Sequence, residues 1–473
     1  MNSATLNRVI YQCFSPYGIS LQKEAFNFLK ESISDLNLNS VKDVQSWLTS
    51  VASEVLSREF SLNLKKKDLE LIFTELINKS ASKDLVVDNN KTTADLKDIN
   101  PYFQVIDLFN ITPIKNLIGC QGNEFLIFGM LTEMVEGKIH LEDPDAYVEL
   151  SFNEISEKGP GVYTLNCFVF CYGYYDDEKI FNVSKIFMPP IEDREQTIMS
   201  QDFFVGKKEE TFQDIKDLKL LENSFDVSIV ILSDVWLDKP IVFTKLRTMF
   251  EGYNDNPPLA FIFIGSFIST PYKMDGSDQD NYTESFNHLA DLISEYPSIA
   301  KASIFVFVPG SNDPLNSQQE ILPKKQISEI FYFKLKLKVE NLIFTTNPCR
   351  IKYFTLELVI FKDYFKNRIL RNCIFSPEEK NGELQTQFLK TVLSQAHLVP
   401  LPTKLRPTYW MYDHCLRLNS LPHLLCLADI GETFWDDTLA KGTIVCNPGV
   451  FSNDFKFLFY RPSENTIEAA QIP

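Results

Sequence analysis

The sequence has 473 residues, of which 44% are hydrophobic and 23% are charged. This length corresponds to roughly three domains, and the composition excludes a disordered or fibrous protein. Lys and Arg number 46 against 63 Asp and Glu, so the formal charge is −17. Since broad DNA binding depends on Lys and Arg that displace phosphate counterions, we exclude a DNA-coating surface as the main function.

The nine cysteines are scattered along the chain and include no C-x-x-C pair. An odd number in a long chain is typical of a reducing intracellular compartment rather than of a disulfide framework. The N-terminus has no apolar signal segment, and no apolar run reaches membrane-spanning length. We therefore expect a soluble intracellular protein with no membrane partner.

Residues 1–79 show the apolar spacing of helices and predict a small helical domain. One helix covers 21–36, a second covers 41–56 and a third starts near Lys67. The basic triplet 65–67 is interpreted as a solvated helix start, with a phosphate contact as the alternative. The polar segment 80–100 predicts a linker.

Residues 101–190 contain five strand-like segments separated by turns rich in Gly, Pro and Asp. The segments cover 125–131, 138–141, 146–152, 166–175 and 179–187. They predict a small five-stranded Greek-key barrel of the OB type. Aromatic residues in the fourth segment would suit stacking on single-stranded nucleic acid, but basic residues are nearly absent, so a place in the core or against a protein partner is favoured.

Residues 191–223 predict a polar connection with one helix near 213–223. From 224 to 473, short apolar runs alternate with helical stretches such as 242–250 and 285–295, which predicts an α/β domain. The runs that end in small or polar residues are 227–232, 259–264, 304–308, 342–344, 424–427 and 444–445. Because ligands in such sheets lie beyond the carboxyl ends of strands, the loops that follow are the candidate site.

These loops resemble, in order and residue type, the metal-binding loops of calcineurin-like metallophosphoesterases, which have an αββα fold. That family carries D-x-H, G-D-x-x-D, G-N-H-D/E, a lone His and G-H-x-H at successive strand ends, where two metals generate hydroxide. Asp234 matches the first Asp, and His397 matches the lone His. Trp236 stands in place of a ligand His, Ser266 in place of the bridging Asp, and Asn312 lies in a third motif that lacks its Asn-His pair.

These five residues are therefore interpreted as a vestigial, non-functional phosphoesterase pocket without metal, cofactor or catalytic residue. Asp234 is expected to cap a helix or turn, His397 to be a satisfied buried or interfacial residue, and Trp236 to fill the vacated centre. The alternative is an active, divergent phosphoesterase, for which the five histidines of the chain supply too few ligands.

An OB barrel followed by a disabled phosphoesterase domain resembles the B-subunits of replicative DNA polymerases. The motifs at 232–238, 245–250, 305–310, 344–351 and 446–449 are similar to those of the B-subunit family of DNA polymerase epsilon. In the barrel, the motifs at 137–138, 141–144 and 161–163 are also similar. The resemblance runs from about residue 112 to the C-terminus.

The resemblance implies a non-catalytic scaffold that acts in the nucleus in chromosomal DNA replication. Its barrel and phosphoesterase domains would bind the zinc-binding C-terminal region of the polymerase catalytic subunit. The N-terminal helices would connect it to the replicative helicase through the GINS complex, and DNA would be contacted only indirectly. The B-subunits of polymerases alpha and delta are alternatives of the same kind.

Residues 324–352 are the most basic segment of the chain. Its seven cationic residues are Lys324, Lys325, Lys334, Lys336, Lys338, Arg350 and Lys352. A solvated face is favoured, and a docking patch for an acidic partner or DNA is the alternative. Within the segment, the alternation from 331 to 339 predicts an edge strand or the end of an amphipathic helix.

Overall fold

The computed structural model describes residues 20–21, 29–30, 63–64, 111–194, 197, 212–273, 275–314 and 321–473. The chain divides into two compact units, Met1–Pro101 and Tyr102–Pro473. Among the residues so described, no helix is long and apolar enough to cross a membrane.

In the first unit, two short strands pair in parallel, β1 (Ser20–Leu21) and β2 (Asn63–Leu64). Leu29 and Lys30 are helical, as the predicted helix 21–36 requires, but Leu21 belongs to a strand because it pairs with Leu64. The other predictions for 1–79, including the triplet 65–67, and the linker 80–100 lie outside the described residues.

Six strands in the first part of the second unit form a sheet that closes on itself. They are β3 (Glu124–Val135), β4 (Lys138–Glu142), β5 (Tyr147–Ser151), β6 (Glu157–Lys158), β7 (Phe168–Tyr175) and β8 (Ile180–Phe187). Their order is β5-β4-β3-β7-β8-β6, and β5 also pairs with β8 in parallel. Each of the five predicted segments overlaps one strand, and the two-residue β6 is additional.

The interior of this closed sheet consists of side chains that alternate along its strands. Ile127 and Leu131 of β3, Leu141 of β4 and Val169 of β7 are fully buried in one cluster. They face inward together because successive side chains of a strand point to opposite faces. The β3–β4 turn contains Gly137, whose φ of +77° is a conformation that glycine adopts without steric cost.

Two tyrosines of β7 hydrogen-bond to carboxylates. The hydroxyls of Tyr172 and Tyr174 donate to the carboxylates of Glu124 and Glu154. Phe170 is buried and stacks on another ring of the barrel. Carboxylates at these two hydroxyls oppose a phosphate backbone there, which favours the core or protein-facing interpretation.

The rest of the second unit contains two further sheets. Its strands are β9 (Ile229–Ser233), β10 (Ala260–Ile264), β11 (Ile304–Val308), β12 (Leu342–Phe344), β13 (Cys349–Tyr353), β14 (Leu356–Lys362), β15 (Leu424–Ala428), β16 (Phe434–Ala440), β17 (Thr443–Asn447), β18 (Lys456–Arg461) and β19 (Thr466–Gln471). The first sheet has the order β12-β11-β10-β9-β18-β19, and the second β13-β14-β15-β17-β16. All six predicted runs are strands, whereas β13, β14, β16, β18 and β19 were not predicted.

The second unit also contains α-helices. They are α1 (Phe212–Ser224), α2 (Pro240–Tyr253), α3 (Gln279–Ser294), α4 (Pro297–Ala302), α5 (Phe333–Lys338), α6 (Phe365–Arg371), α7 (Leu384–Ser394) and α8 (Phe451–Asp454). Short 3-10 helices lie at Ile114–Leu117, Glu329–Phe331, Glu379–Asn381 and Trp410–Leu416. The predicted helices near 213–223, 242–250 and 285–295 correspond to α1, α2 and α3.

The two sheets pack face to face, with a helical layer outside each. Ile231 and Ile262 of the first sheet share a buried cluster with Ile360 and Cys426 of the second. The other face of the first sheet packs against α2 and α3, and that of the second against α6 and α7. The order of layers is therefore helix, sheet, sheet, helix.

The closed sheet is fixed to the second sheet's helical layer by the loop 159–164. Val162 is buried in the cluster of α6 and α7, and its N–H donates to Thr391 Oγ1 at 2.8 Å. Thr164 Oγ1 donates to the carbonyl of Pro400 at 3.1 Å. Lys158 pairs with Glu378 at 2.8 Å. Buried contacts and an ion pair therefore join the two parts.

The alternating segment 331–339 is mainly the short helix α5, so the edge-strand alternative is wrong. The ammonium groups of Lys334 and Lys338 both pair with Asp291, at 2.7 and 2.5 Å, and Lys336 pairs with Glu329 at 2.7 Å. These pairs neutralise much of the positive charge that the sequence places there, which favours the solvated-face interpretation.

Candidate functional site

The carboxyl ends of the parallel strands meet at one edge of the two sheets. Strands β9 to β12 run parallel to one another, and β14, β15 and β17 are parallel within the second sheet. We call the polar residues at this edge the strand-end cluster, which consists of Asp234, Ser266, Asp313, Asn347, Lys362, Asp363, Arg406, Asp429 and Asn447. Every one of them is buried.

An ion pair between the two sheets lies at the centre of the strand-end cluster. Asp234 follows β9, and its carboxylate Oδ2 bonds the ammonium of Lys362, the last residue of β14. Each side chain is only 1% exposed. Asp234 also has a left-handed φ of +54° and accepts the N–H of Ser266 at 3.1 Å. The expected capping role for Asp234 is therefore wrong, because its carboxylate instead neutralises a buried cation.

Asn347 fixes the backbone of Lys362. Its Nδ2 donates to the Lys362 carbonyl at 2.7 Å and to that of Pro309 at 3.2 Å, and its Oδ1 accepts the Lys362 N–H at 3.1 Å. These bonds connect the ends of β11 and β14, so both sheets hold the lysine in place.

Asp313 organises the loops after β10 and β11. Its carboxylate accepts the N–H of Phe267 at 2.8 Å, the N–H of Gly310 at 2.7 Å and the hydroxyl of Tyr282 at 3.1 Å. Burial raises the pKa of Asp313 to about 6, although these hydrogen bonds and the charge of Lys324 act in the opposite direction. The Asp313 carboxylate therefore serves to hold the two loops together through these hydrogen bonds.

Ser266 and Asn312 lie together, as expected of neighbouring strand ends. The hydroxyl of Ser266 accepts the N–H of Asn312 at 3.1 Å, and Asn312 Nδ2 donates to the carbonyl of Ile268 at 3.2 Å. Both residues therefore connect the two loops through backbone groups.

Trp236 is anchored through its backbone. Its N–H donates to Ser452 Oγ at 2.8 Å, and that hydroxyl donates to the carbonyl of Asp234 at 2.6 Å. Its indole Nε1 is buried, and no described residue hydrogen-bonds it. The side chain that pairs with Asp234 is Lys362, so the Asp234 carboxylate is neutralised by an ammonium and accepts no hydrogen bond from the Trp236 indole nitrogen.

His397 is bonded away from the Asp234–Lys362 pair. Its Nε2 lies 3.3 Å from Asp413 Oδ1, and its Nδ1 accepts the N–H of Val399 at 3.0 Å. Both ring nitrogens are satisfied, as expected. The bond from His397, together with Arg417, lowers the pKa of Asp413 to about 2.

The second sheet contributes further buried charges. Arg406 donates Nε to Asp363 Oδ2 at 2.8 Å and a second nitrogen to Oδ1 at 3.1 Å, a bidentate pair. Asp429 accepts the N–H groups of Lys366 at 2.8 Å and Ile430 at 2.6 Å. Burial raises the pKa of Asp429, partly opposed by these bonds and by the charge of Lys362.

The donor set of the strand-end cluster does not fit a two-metal centre. Within the described ranges, no three His, Cys, Asp or Glu side chains are placed to hold a metal ion. Asp234 is paired with an ammonium, Asp363 with a guanidinium, and Asp313 with backbone N–H groups. The cluster can join the sheets, but it lacks an open coordination site.

Near the strand-end cluster, four consecutive apolar side chains face solvent. We call them the aromatic platform; their exposed fractions are 46% for Tyr409, 76% for Trp410, 82% for Met411 and 50% for Tyr412. The preceding loop contains the buried Arg406. The N–H of Tyr409 donates to the carbonyl of Leu322 at 2.8 Å, so the platform starts from a fixed backbone.

Sequence reasoning missed Lys362, Asp363, Arg406 and the aromatic platform. The strand β14 that positions Lys362 had a usable signal, the apolar run 358–361. The platform had one too, because the run 409–412 after Pro407 is rich in aromatic residues.

Comparison with known proteins identifies the family. A family model described as the B-subunit of DNA polymerases alpha and epsilon matches residues 229–435, and one described as DNA polymerase epsilon subunit 2-like, OB-fold domain, matches 79–190. The chain is 38% identical to human DNA polymerase epsilon subunit 2 and 37% identical to that of Bos taurus, covering 77% of this chain and 69% of each relative. It is 32% identical to the DNA polymerase epsilon B-subunit of Arabidopsis thaliana, covering 76% of this chain and 69% of that relative.

The OB-fold model and these relatives favour polymerase epsilon over the alpha and delta alternatives. The OB-fold prediction for the closed sheet is confirmed by the model that matches it. The chain belongs to the family of DNA polymerase epsilon subunit 2, also called the B-subunit, whose members are non-catalytic accessory subunits.

Proposed function

We propose that this chain is a scaffold of the DNA polymerase epsilon complex in the nucleus. Residues 101–190 and 224–473, joined by 191–223, bind the zinc-binding C-terminal region of the catalytic subunit. Residues 1–79, followed by the linker 80–100, connect the polymerase to the replicative helicase through GINS. DNA is contacted only through these partners.

The contrast at one edge of the sheets carries this proposal. Inside, the Asp234–Lys362 pair closes the position where an enzyme of this layout would bind its ligand. Outside, the aromatic platform is exposed to solvent. A sheet edge whose interior is occupied by an ion pair and whose surface carries exposed apolar side chains suits protein binding rather than catalysis.

We further propose that residues 224–473 are a calcineurin-like phosphoesterase domain that has lost its metal centre. The helix–sheet–sheet–helix layers and the strand-end loops support this origin. Trp236 and Ser266 stand where two ligands are required, and Asp234, Asn312 and His397 are bonded elsewhere. These five residues are the vestigial pocket.

The aromatic platform is the proposed contact with the catalytic subunit. Trp and Tyr dominate the binding energy of protein interfaces, and a fixed backbone reduces the entropy lost on binding. At its base, Arg417 pairs with Asp413 at 2.7 Å, and Asp413 also bonds His397. Because these charges are balanced, the platform suits an apolar protein surface rather than a polyanion.

The interface is tested by co-expressing the full chain with the C-terminal region of the catalytic subunit. Trp410→Ala together with Met411→Ala should weaken the measured affinity by about 30-fold or more, the effect of losing one hot spot of about 2 kcal/mol. Trp435→Ala is the matched control, since Trp435 is also exposed but lies on the edge strand β16. Equal affinity of both variants would contradict the placement of the contact.

The tether is tested by deleting residues 1–79. This deletion should abolish capture of GINS and leave capture of the catalytic subunit unchanged. Loss of catalytic-subunit binding with retained GINS binding would reverse the assignment of the two regions.

The lost metal centre is tested by metal analysis of the purified protein and a phosphodiesterase assay with Mn²⁺. We expect no stoichiometric transition metal and no turnover above buffer, with an active calcineurin-like enzyme as the positive control. Two bound ions together with turnover would establish the alternative, a divergent active phosphoesterase.

A further inference from the structure

We propose that the ammonium of Lys362 is the permanent cation of the strand-end cluster and keeps divalent metal ions out of it. This inference rests on the proposed phosphoesterase-like origin of the domain. The loss of metal ligands at Trp236 and Ser266 does not by itself require a role for Lys362. We assign it one: the positive charge that a bound metal ion would supply is supplied by a side chain of the protein.

The Lys362 side chain meets the conditions for an internal counter-ion. It reaches from β14 in the second sheet to Asp234 after β9 in the first, and the pair is almost fully buried. The ammonium also lies 3.3 Å from Ser233 Oγ and 5.0 Å from the ring centre of Tyr364. A buried charge is stable only when it is paired and hydrogen-bonded in this way.

One further carboxylate of the cluster is influenced by the same cation. Asp363 is neutralised by Arg406, whereas Asp429 accepts the backbone N–H groups of Lys366 and Ile430, and the charge of Lys362 acts to lower its pKa, which burial raises. The ammonium of Lys362 therefore pairs with Asp234 from the first sheet, and its charge also acts on Asp429 from the second. A cation at this position meets the Asp234 carboxylate and Ser233 Oγ, a neutral oxygen donor.

Removal of the ammonium leaves the carboxylate of Asp234 without its cation. Its remaining bonds, from the N–H of Ser266 and the hydroxyl of Ser233 at 3.4 Å, do not neutralise it. Oxygen ligands of this kind suit Mn²⁺, which would then restore the missing positive charge. In the natural chain the ammonium occupies this position, so we expect Mn²⁺ to have no effect.

The experiment compares thermal unfolding of the full chain with and without 1 mM MnCl₂. Lys362→Met should lower the unfolding midpoint by roughly 5–10 °C, and Mn²⁺ should recover part of this loss. The matched control is Lys366→Met, since Lys366 is a partly buried lysine nearby that bonds Gln385 instead of a carboxylate. The unchanged protein and this control should not respond to Mn²⁺.

The double variant Asp234→Asn with Lys362→Met removes both charges. It should be more stable than Lys362→Met alone and should not respond to Mn²⁺. A Mn²⁺ response of the unchanged protein, or an equal response of single and double variants, would overturn the inference. Where Lys362→Met does not fold, a folded double variant supports the inference and an unfolded one overturns it.

The Mn²⁺ response and the binding of the polymerase partner are separate measurements. A protein that binds the catalytic subunit through the aromatic platform but fails the Mn²⁺ test leaves the proposed function intact. Failure of the Trp410 and Met411 variants to weaken binding leaves the assignment of Lys362 intact.

Discussion

Substitution of Gly310 by Ala tests how closely the loops after β10 and β11 approach one another. A Cβ atom on Gly310 would lie 2.4 Å from the Ser266 nitrogen and 2.5 Å from the Gly265 carbonyl carbon. Both are backbone atoms, and the Gly265 N–H is bonded to the carbonyl of Val308 at 2.7 Å. The neighbouring loop therefore cannot move away without breaking hydrogen bonds at the strand end.

Insertion of a carbon into a packed site costs about 1–3 kcal/mol when the surroundings can adjust. Because the contacts of Gly310 are with backbone, we expect Gly310→Ala to cost about 3 kcal/mol. At about 2–4 °C for each kcal/mol, the unfolding midpoint should fall by roughly 6 °C or more.

Gly252→Ala is the control for this prediction. Gly252 lies near the end of α2, and a Cβ there would meet no atom within 4 Å. Replacing a helical glycine by alanine stabilises a protein by about 0.5–1 kcal/mol. Circular dichroism during heating measures both variants. A Gly310→Ala protein that unfolds at the same temperature as the Gly252→Ala protein would refute the close approach of the two loops.

Three further predictions concern buried polar groups. Arg406→Met leaves the Asp363 carboxylate unpaired and should cost about 3–5 kcal/mol in denaturant unfolding, whereas a cost under about 1 kcal/mol would contradict the buried pair. Thr391→Val orphans the Val162 N–H and should cost about 1–3 kcal/mol, with Thr391→Ser, which keeps the hydroxyl, as the control. The folded-state pKa of Asp313, about 6, is above its unfolded value of about 3.9, so this group's contribution to stability is full below about pH 4 and is lost as the pH rises to about 6. Relative to Asp313→Asn, the unchanged protein should lose on the order of 2 kcal/mol over that range, and parallel pH profiles would refute the assignment.

The parallel core strands could be predicted from the sequence because they are buried on both faces. Such strands are continuous apolar runs, as in β11 (Ile304–Val308). Strand β16 (Phe434–Ala440) was not predictable in this way, because it is mostly not buried and contains two aspartates, the half-buried Asp436 and the exposed Asp437. Strand β19 (Thr466–Gln471) lies at a sheet edge and is mostly exposed, so its apolar pattern is weak.

The segment 331–339 shows why alternation alone does not identify a strand. In a strand, Phe333, Leu335 and Leu337 would share one face. In the helix α5, Phe333 and Leu337 are four positions apart and lie on the same side, and Leu335 lies opposite. The structure buries Leu335 and exposes the other two, as the helix requires.

The site could be located from the sequence but its central contact could not. Ligand positions beyond strand ends follow from fold class, which placed Asp234 and Ser266 correctly at the shared edge. The partner of Asp234 is 128 residues away, on a strand of the other sheet. No local pattern encodes a pairing at that distance, because it depends on how two sheets pack face to face.

The strand-end loops keep some residue types of the phosphoesterase motifs they resemble and have lost others, and their contacts explain the difference. Gly310 permits the close approach of two loops, and Asp313 binds their backbone N–H groups, so both are needed for folding whether or not a metal is bound. Under the proposed phosphoesterase origin, Trp236 and Ser266 occupy positions whose motif residues ligate metal. Asp234 matches a metal-ligand position of the motif and is also part of the folded core. A buried carboxylate needs a cation, and Lys362 supplies one. If the proposed origin holds, an edge that keeps its folding residues while a lysine takes the place of metal ions can retain the shape of an enzyme and serve as the proposed scaffold.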